Sequence, residues 1–418
     1  MDRAIVNWAG NIAYGARALH FPRSTGELQE IVAQATRLRA LGSRHSFNRI
    51  ADTTGDLVSL ARLDRVLALD AAARTVTVEG GITYGQLGPA LHAAGFALHN
   101  LASLPHIGVA GAIATATHGS GERHGNLATA VRALTLVTAG GDLLTLRRGD
   151  AEFDGAVVSL GALGIVSAIT LDIQPGFDIS QTVYTGLPVD AFLANFDAIA
   201  AAAYSVSVFT MWQGDTIDQV WLKALAGATP HRGDFFGAAP ATRAMHPIAT
   251  VDPAPATGQM GVPGPWHERL PHFRPAFMPS AGAELQSEYF VPRAHALDAF
   301  RALRALQHRI APHLLVCEIR MVAADEQWLS MAYRQDSVAF HFTWKQDWPA
   351  VATVLPEIEA ALAPFGVRPH WGKLFTLPET AIRAQYERLG VFRAFAGRLD
   401  PAGKFRNAFL DRILFGAA

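Results

Sequence analysis

Disulfides are excluded at the outset. Cys317 is the only cysteine in 418 residues, so no pair can form within the chain and a reducing, cytoplasmic setting is expected. Charge of one sign is equally scarce: 35 Lys and Arg stand against 36 Asp and Glu, a formal net charge of -1. No basic excess exists to draw in nucleic acid or an acidic membrane surface. Two nucleotide signatures are missing. Neither G-x-G-x-x-G nor G-x-x-x-x-G-K-[ST] occurs, which argues against a Rossmann dehydrogenase and a P-loop enzyme. The stretch "MDRAIVNWAGNIAYGARAL" begins with an acid and has no unbroken apolar core, so no signal peptide is expected. Membrane spans fail as well. Ala198–Gly214 is uncharged but passes from an alanine-rich helix into the alternating strand "YSVSVFTMW". Ala93–Gly121 lacks Asp, Glu, Lys and Arg, yet Pro105, three histidines and five glycines break it. Sixteen histidines invite a metal, but His118 and His124 flank "GSGER" without an i,i+4 pair or a Cys/His cage, so none is expected.

What is present suits a buried, multi-domain enzyme: half the residues are hydrophobic and 17 % are charged. The first 175 residues mix helices and strands. "STGELQEIVAQATRLRA" reads as a helix with a Ser24/Glu27 capping box and an apolar face of Leu28, Ile31, Val32 and Ala35, followed by a short strand. "RVLALDAAARTVTVEGG" and "ALTLVTAGGDLLTLRRGD" are hairpins, the second turning at Gly140–Gly141. "TYGQLGPALHAAG" is a short helix ending at Gly95, and "VVSLGALGIVSAITLDI" a helix, a glycine break and a strand. From Gly176 the texture changes. After "SVSVFTMW" comes a long irregular stretch, Ala226–Ala281, then strands "AELQSEYFVP", "HLLVCEIRMV" and "SVAFHFTWK" with helices between and after them. That order describes an α+β domain with an antiparallel sheet. Domains are expected at 1–175 and 176–373, with 374–418 returning to the first.

Chemistry concentrates in three places. "LGSRHSFN" sets His45 in a small-residue turn leaving a strand, where backbone amides lie open. The charge-free run Ala93–Gly121 is small-residued and irregular, suited to lie against a large bound molecule because glycine and alanine let amides approach. In the second domain, Glu318 and Arg320 are two apart on a strand and share a face, as do His341 and Thr343; Phe340, Phe342 and Trp344 take the opposite, packed face. "RPHWGK" adds Lys373. On an exposed strand a Glu318–Arg320 pair would contribute about 0–1 kcal/mol. The strongly apolar neighbouring strands point to the other reading, in which these polar faces line an enclosed cleft, and the pattern alone leaves both open. Glu, Arg, His, Thr and Lys together suit a small polyhydroxy ligand, whose hydroxyls both donate and accept. Such a site rejects analogues lacking a hydroxyl, because each buried group left unpaired costs about 1–3 kcal/mol.

These residues carry a resemblance. "LGSRHSFN", "LASLPHIGVAGAIATATHGSG", "SLGALGIVSAITLDI", "PHWGK" and "LDPAGKFRNAF" resemble the vanillyl-alcohol-oxidase flavoprotein family, and within it the bacterial alditol oxidases; the likeness runs nearly the whole chain. It implies a two-domain fold of that type, an FAD-binding domain of α/β subdomains and an α+β substrate cap. It implies FAD bonded covalently through His45 and wrapped by Leu41, Gly42, Ser43, Arg44, Ser46, Ser103, Gly108, Gly111, Thr115, Thr117, His118, Ile165 and Lys373. Related sequences often carry glycine where Arg44 stands, so Arg44 either adds a charged contact or points to solvent. The resemblance places Ser103, Gln286, Glu318, Arg320, His341, Thr343 and Lys373 around a polyol. Arg320 and Lys373 would face the reacting hydroxyl, one such donor being worth about 3–4 kcal/mol in the transition state. Glu318 and His341 would complete the catalytic group. Oxygen would reoxidise the flavin, giving hydrogen peroxide and an aldose; a monomer is expected. The rivals are a sugar-lactone oxidase or dehydrogenase on the same fold, a glycoside hydrolase pairing Glu318 with Asp325, and a flavin-free carbohydrate-binding module.

Overall fold

The computed structural model describes residues 5–228, 233–277 and 283–416. The first helix runs Thr25–Gln34, with Leu28 and Val32 buried and Ile31 and Ala35 only half-buried. Its cap is half of the expected box. Ser24 Oγ accepts from the Glu27 amide at 3.1 Å, but the Glu27 carboxylate accepts from Arg23 N–H rather than from Ser24. The helix lies by a three-stranded parallel sheet, with Asp56–Val58 between Ala18–His20 and Leu38–Ala40. Both expected hairpins form and join one antiparallel sheet. Its strand order is Val66–Asp70, Thr75–Glu79, Ile165–Asp172, Val131–Val137, Leu143–Arg147. Along Ile165–Asp172 burial alternates, so Ile165, Ser167, Ile169 and Leu171 face inward. The helix expected in "VVSLGAL" lies earlier, at Phe153–Val157, and turns occupy the residues up to Gly164. Leu160, Gly161 and Gly164 there adopt positive φ, which no helix can continue through.

A nine-stranded sheet dominates the rest. Its middle runs Asp178–Pro188, Thr216–Leu225, Ser205–Thr210, Leu314–Val322, Ser337–Lys345, Glu284–Pro292, all neighbours antiparallel. Helices Ala296–Ala305 and Trp348–Leu362 pack together, and the first also meets the Glu284–Pro292 strand. Strand Ser205–Thr210 alternates in sequence, yet all six of its residues are buried. Val206 and Val208 enter the main core, while Phe209 on the other face packs with Val183 and Trp221 in a separate cluster. Phe342 and Trp344 stack at 5.1 Å on the packed side. The irregular stretch Ala226–Ala281 falls partly outside the described residues. Its described parts hold only short pieces, Ala239–Pro240, Gly264–Pro265 and Trp266–Arg269.

The C-terminal segment comes back to the beginning of the chain. Phe405 is buried with Leu28, Val32, Leu38 and Ile165. Lys404 Nζ donates to Val32 O at 2.6 Å and Ala139 O at 2.7 Å, and Asn407 Nδ2 donates to the carbonyls of Arg49, Ile50 and Asp52. Buried Arg39 ties four carbonyls together, those of Ile50, Leu160, Gly161 and Phe405. No helix among the described residues is long and apolar enough to cross a membrane.

Candidate active site

Every residue that the resemblance places around FAD or the polyol, from Leu41 to Lys373, lines one cavity between the small-residue segments and the nine-stranded sheet. Asp325 does not. It is buried elsewhere, accepting from Asn126 Nδ2, Ser330 Oγ and the Gln327 amide, so the two carboxylates a glycosidase would need are not brought together.

The turn holding His45 is built to present amides. Leu41 N–H closes on Val58 O and Phe47 N–H on Gly372 O. Between them, the amides of Gly42, Ser43, Arg44, His45 and Ser46 have no acceptor among the described residues. Arg44 sits at φ 64°, in the left-handed region that glycine enters freely and other residues rarely. This explains why glycine suits the position. The Arg44 side chain is exposed and reaches only Val6 O, at 3.4 Å, so it points to solvent. Successive amides around a left-handed residue form a concave anion site, and a Cβ added at Gly42 or Gly111 would meet open space. Those features fit a dinucleotide pyrophosphate. The residues named from the sequence as FAD-binding would supply such a cradle, free of acidic side chains and with Arg44 and Lys373 as its only lysine or arginine.

His45 stacks on Trp8 with centroids 5.0 Å apart, its Nδ1 3.2 Å from Ser43 O. Burial pushes its pKa down to about 4, against the Ser43 carbonyl, so the imidazole is neutral near pH 7. The same turn is fastened to the Lys373 turn: Asn48 Nδ2 donates to Trp371 O at 2.8 Å and Lys373 O at 2.7 Å.

Register sets the other wall. Glu288 and Glu318 both pair with His341 across three strands, and Gln286 pairs with Thr343. The sequence left Glu318 and Arg320 open to the reading of a surface pair; they are instead 5 % and 6 % exposed. Arg320 donates to Glu288 Oε1 at 2.6 Å, while its Nε stands 3.7 Å from Glu318 Oε2, too long for a hydrogen bond. Glu288 also faces His118 Nε2 at 3.0 Å. Burial alone would raise both carboxyls, but Arg320 with His272 at Glu318, and His118 with Arg320 at Glu288, hold them well below the usual carboxylate range. Lys373 Nζ donates to Gln286 Oε1, lies 4.9 Å over the Phe47 ring, and burial lowers its pKa to about 8. His341 Nε2 meets the same Gln286 oxygen at 3.1 Å, and burial takes its pKa down to about 3. The site thus offers cations, a neutral imidazole and charged acceptors in one enclosure.

Sequence reasoning missed Glu284, Glu288, His272 and Lys223. The first two alternate with Gln286 in "ELQSE" and so share its face, a signal the period of two contained. Lys223, isolated in the apolar "VWLKAL", was a fainter one. His272 lies in irregular chain and left no pattern.

Residues 16–147 match the family described as "FAD binding domain", and residues 282–413 the family described as "D-arabinono-1,4-lactone oxidase". A solved cholesterol oxidase from B. sterolicum superposes with a TM-score of 0.78 over 98 % of this chain and 96 % of its own, at 16 % identity, a likeness of fold. The chain belongs to the vanillyl-alcohol-oxidase family of FAD-dependent oxidoreductases. Among the curated relatives it is 51 % identical, over the whole of both chains, to the alditol oxidase of Streptomyces sp. (strain IKD472 / FERM P-14339). It is 30 % identical, over 98 % of both chains, to an L-gulono-1,4-lactone dehydrogenase of Mycobacterium tuberculosis.

Proposed function

We propose that this enzyme oxidises the terminal primary alcohol of alditols such as xylitol and sorbitol to the aldose, reducing O2 to H2O2. The observation that carries the reading is the joining of two walls in one cavity: a row of unpartnered amides beside His45, and the Glu318–Arg320–Lys373 cluster with Ser103, Gln286, His341 and Thr343. Full-length similarity to an alditol oxidase supports it. FAD bound there supplies the acceptor for the carbon-bound hydride and the route of its electrons to oxygen. The residues 41–46 and 103–118 would hold it, with His45 as the covalent attachment point. A neutral imidazole clamped by Trp8 is a competent nucleophile for that bond. Residues 1–175 with 374–418 would form the FAD-binding unit, and 176–373 the substrate cap.

The chain's own groups divide the remaining work. Arg320 and Lys373 face the reacting hydroxyl as cations and favour alkoxide character as its proton passes to water. Glu318 accepts from a neighbouring hydroxyl, and Gln286, held by Lys373, keeps the cation aimed. Thr343 and Ser103 hold hydroxyls farther along the polyol. Buried Cys317 fits a cytoplasmic protein, and we take the chain to act as a monomer. Lactone oxidation is the second reading, favoured by the lactone-oxidase family match over residues 282–413. Peroxide release from xylitol, sorbitol and L-gulonolactone separates the two. Turnover of the lactone alone would overturn the alditol reading, and colourless purified protein would overturn both.

A further inference from the structure

Lys223 carries a charge into the interior of the nine-stranded sheet, where alcohol oxidation gives it no evident task. It is 1 % exposed and all three of its protons are committed. Nζ donates to Leu270 O, to Pro271 O at 3.1 Å and to His272 Nδ1 at 3.0 Å. An ammonium has no lone pair, so Nδ1 must be the lone-pair nitrogen of His272 and the ring proton sits on Nε2. That Nε2–H meets Glu318 Oε1 at 2.7 Å. A neutral Lys223 could reverse the chain only by setting the Nε2 lone pair against the Glu318 carboxylate. Phe209 and Trp221 clamp the ring edgewise, with centroids 5.6 Å and 5.2 Å away. The His272 and Phe273 amides both donate to Ser103 O, at 3.1 Å and 3.2 Å. The loop bearing His272 therefore joins Lys223, Glu318 and Ser103.

We propose that Lys223 and His272 are positioning residues for substrate selection: they commit Glu318 Oε1 to Nε2–H, leaving Oε2 as an acceptor on the cavity wall that takes a hydroxyl donor and rejects a ligand lacking one. Glu318 Oε2 has no hydrogen-bond partner among the described residues, Arg320 Nε being 3.7 Å away. An acceptor-only oxygen discriminates sharply. An alditol hydroxyl satisfies it, whereas a methylene or a ring oxygen leaves a buried charge unpaired. Burial, against the Glu318 carboxylate, takes the Lys223 pKa down to about 7, and burial, with the Lys223 charge next, takes His272 down to about 4, so the ring is neutral and carries a single proton. The proposal rests on the alditol reading for the identity of the donor, but the tautomer does not.

The experiment uses the flavin-loaded enzyme and compares kcat/KM for xylitol with its 2-, 3- and 4-deoxy analogues. In the natural protein, one deoxy position loses about ten- to a hundredfold, the worth of a hydrogen bond to a charged acceptor. In Lys223→Met and His272→Phe that selectivity collapses at the same position, through KM more than kcat. In His272→Gln, whose amide can still donate toward Glu318 and accept from Lys223, it persists. Equal discrimination in Lys223→Met and His272→Phe, or none at any position in the natural protein, overturns the proposal. Should these variants not fold, 15N-histidine spectra of the natural holoenzyme decide: an Nε2–H, Nδ1-unprotonated His272 is expected, and an Nδ1–H or doubly protonated ring refutes the arrangement. Failure of xylitol to react with yellow protein counts against the alditol reading alone, and the tautomer still judges the relay.

Discussion

Replacing Arg320 with methionine tests the reactive wall most directly. Methionine keeps much of the stem's volume but removes the charge facing Glu318 at 3.7 Å and Glu288 at 2.6 Å. Two buried carboxylates then keep only one imidazole each, His272 and His118. Removing one partner of a buried pair costs about 3–5 kcal/mol, and the surviving histidines place the loss near the lower end. One of the two carboxyls should take up a proton, since neither retains the cation that opposes its burial. The catalytic loss is separate. If Arg320 stabilises developing alkoxide charge, about 3–4 kcal/mol of transition-state stabilisation goes with it, and the rate of flavin reduction falls about 10²–10³-fold. The assay is rapid anaerobic mixing of yellow enzyme with saturating xylitol, followed by flavin absorbance, beside a thermal melt. A lowered melting temperature with an unchanged reduction rate would show that Arg320 only holds the sheet together.

Three further outcomes are expected. His45→Ala should lose colour on acid precipitation while the natural protein keeps it; a yellow mutant pellet would exclude His45 as the attachment point. Lys373 titrates near 8 because burial disfavours its charge, so if the ammonium is needed, flavin reduction declines as pH rises through about 8. The sign for stability is opposite: with the folded pKa below the unfolded one, stability rises between about 8 and 10.5 as the unfolded chain binds the extra proton. Lys373→Arg should remove the decline in rate, and an identical alkaline limb in that variant would assign it to another group. Arg39→Met leaves the carbonyls of Leu160, Gly161 and Phe405 without their donor, Ile50 O keeping Asn407 Nδ2, and removes one of the ties between the C-terminal segment and the first part of the chain. At about 1–3 kcal/mol for each unsatisfied group, even partial loss should lower stability by several kcal/mol, and a denaturation midpoint equal to that of the natural protein would contradict it.

Local chemistry in the sequence was enough to place several pieces. Alternation put Glu318 with Arg320, and His341 with Thr343, opposite the Phe340–Trp344 face, because a strand's side chains change sides at every residue whatever surrounds it. A capping residue and two glycine turns located the first helix and the Gly140–Gly141 hairpin for the same reason: their hydrogen bonds close within a few residues. The open amides around His45 follow from small residues in a turn. Pairing across strands is another matter. Nothing within "CEIR" says that Glu288 will arrive beside Arg320, since that depends on three strands settling into one register while their apolar faces are buried together. Asp325, a carboxylate seven residues from Glu318, was turned away from the cavity into a separate hydrogen-bonded nest. Lys223 could be held as a buried ion only once the Leu270–His272 loop folded over it, for a lone charge in an apolar strand is tolerable only with its acceptors in place. The sequence by itself determined which side chains share a face and where backbone would be exposed, because those are properties of neighbours along the chain. Which charges meet, and which carboxylate faces the cavity, was decided by tertiary packing, because buried electrostatics depends on partners that sequence distance does not reveal.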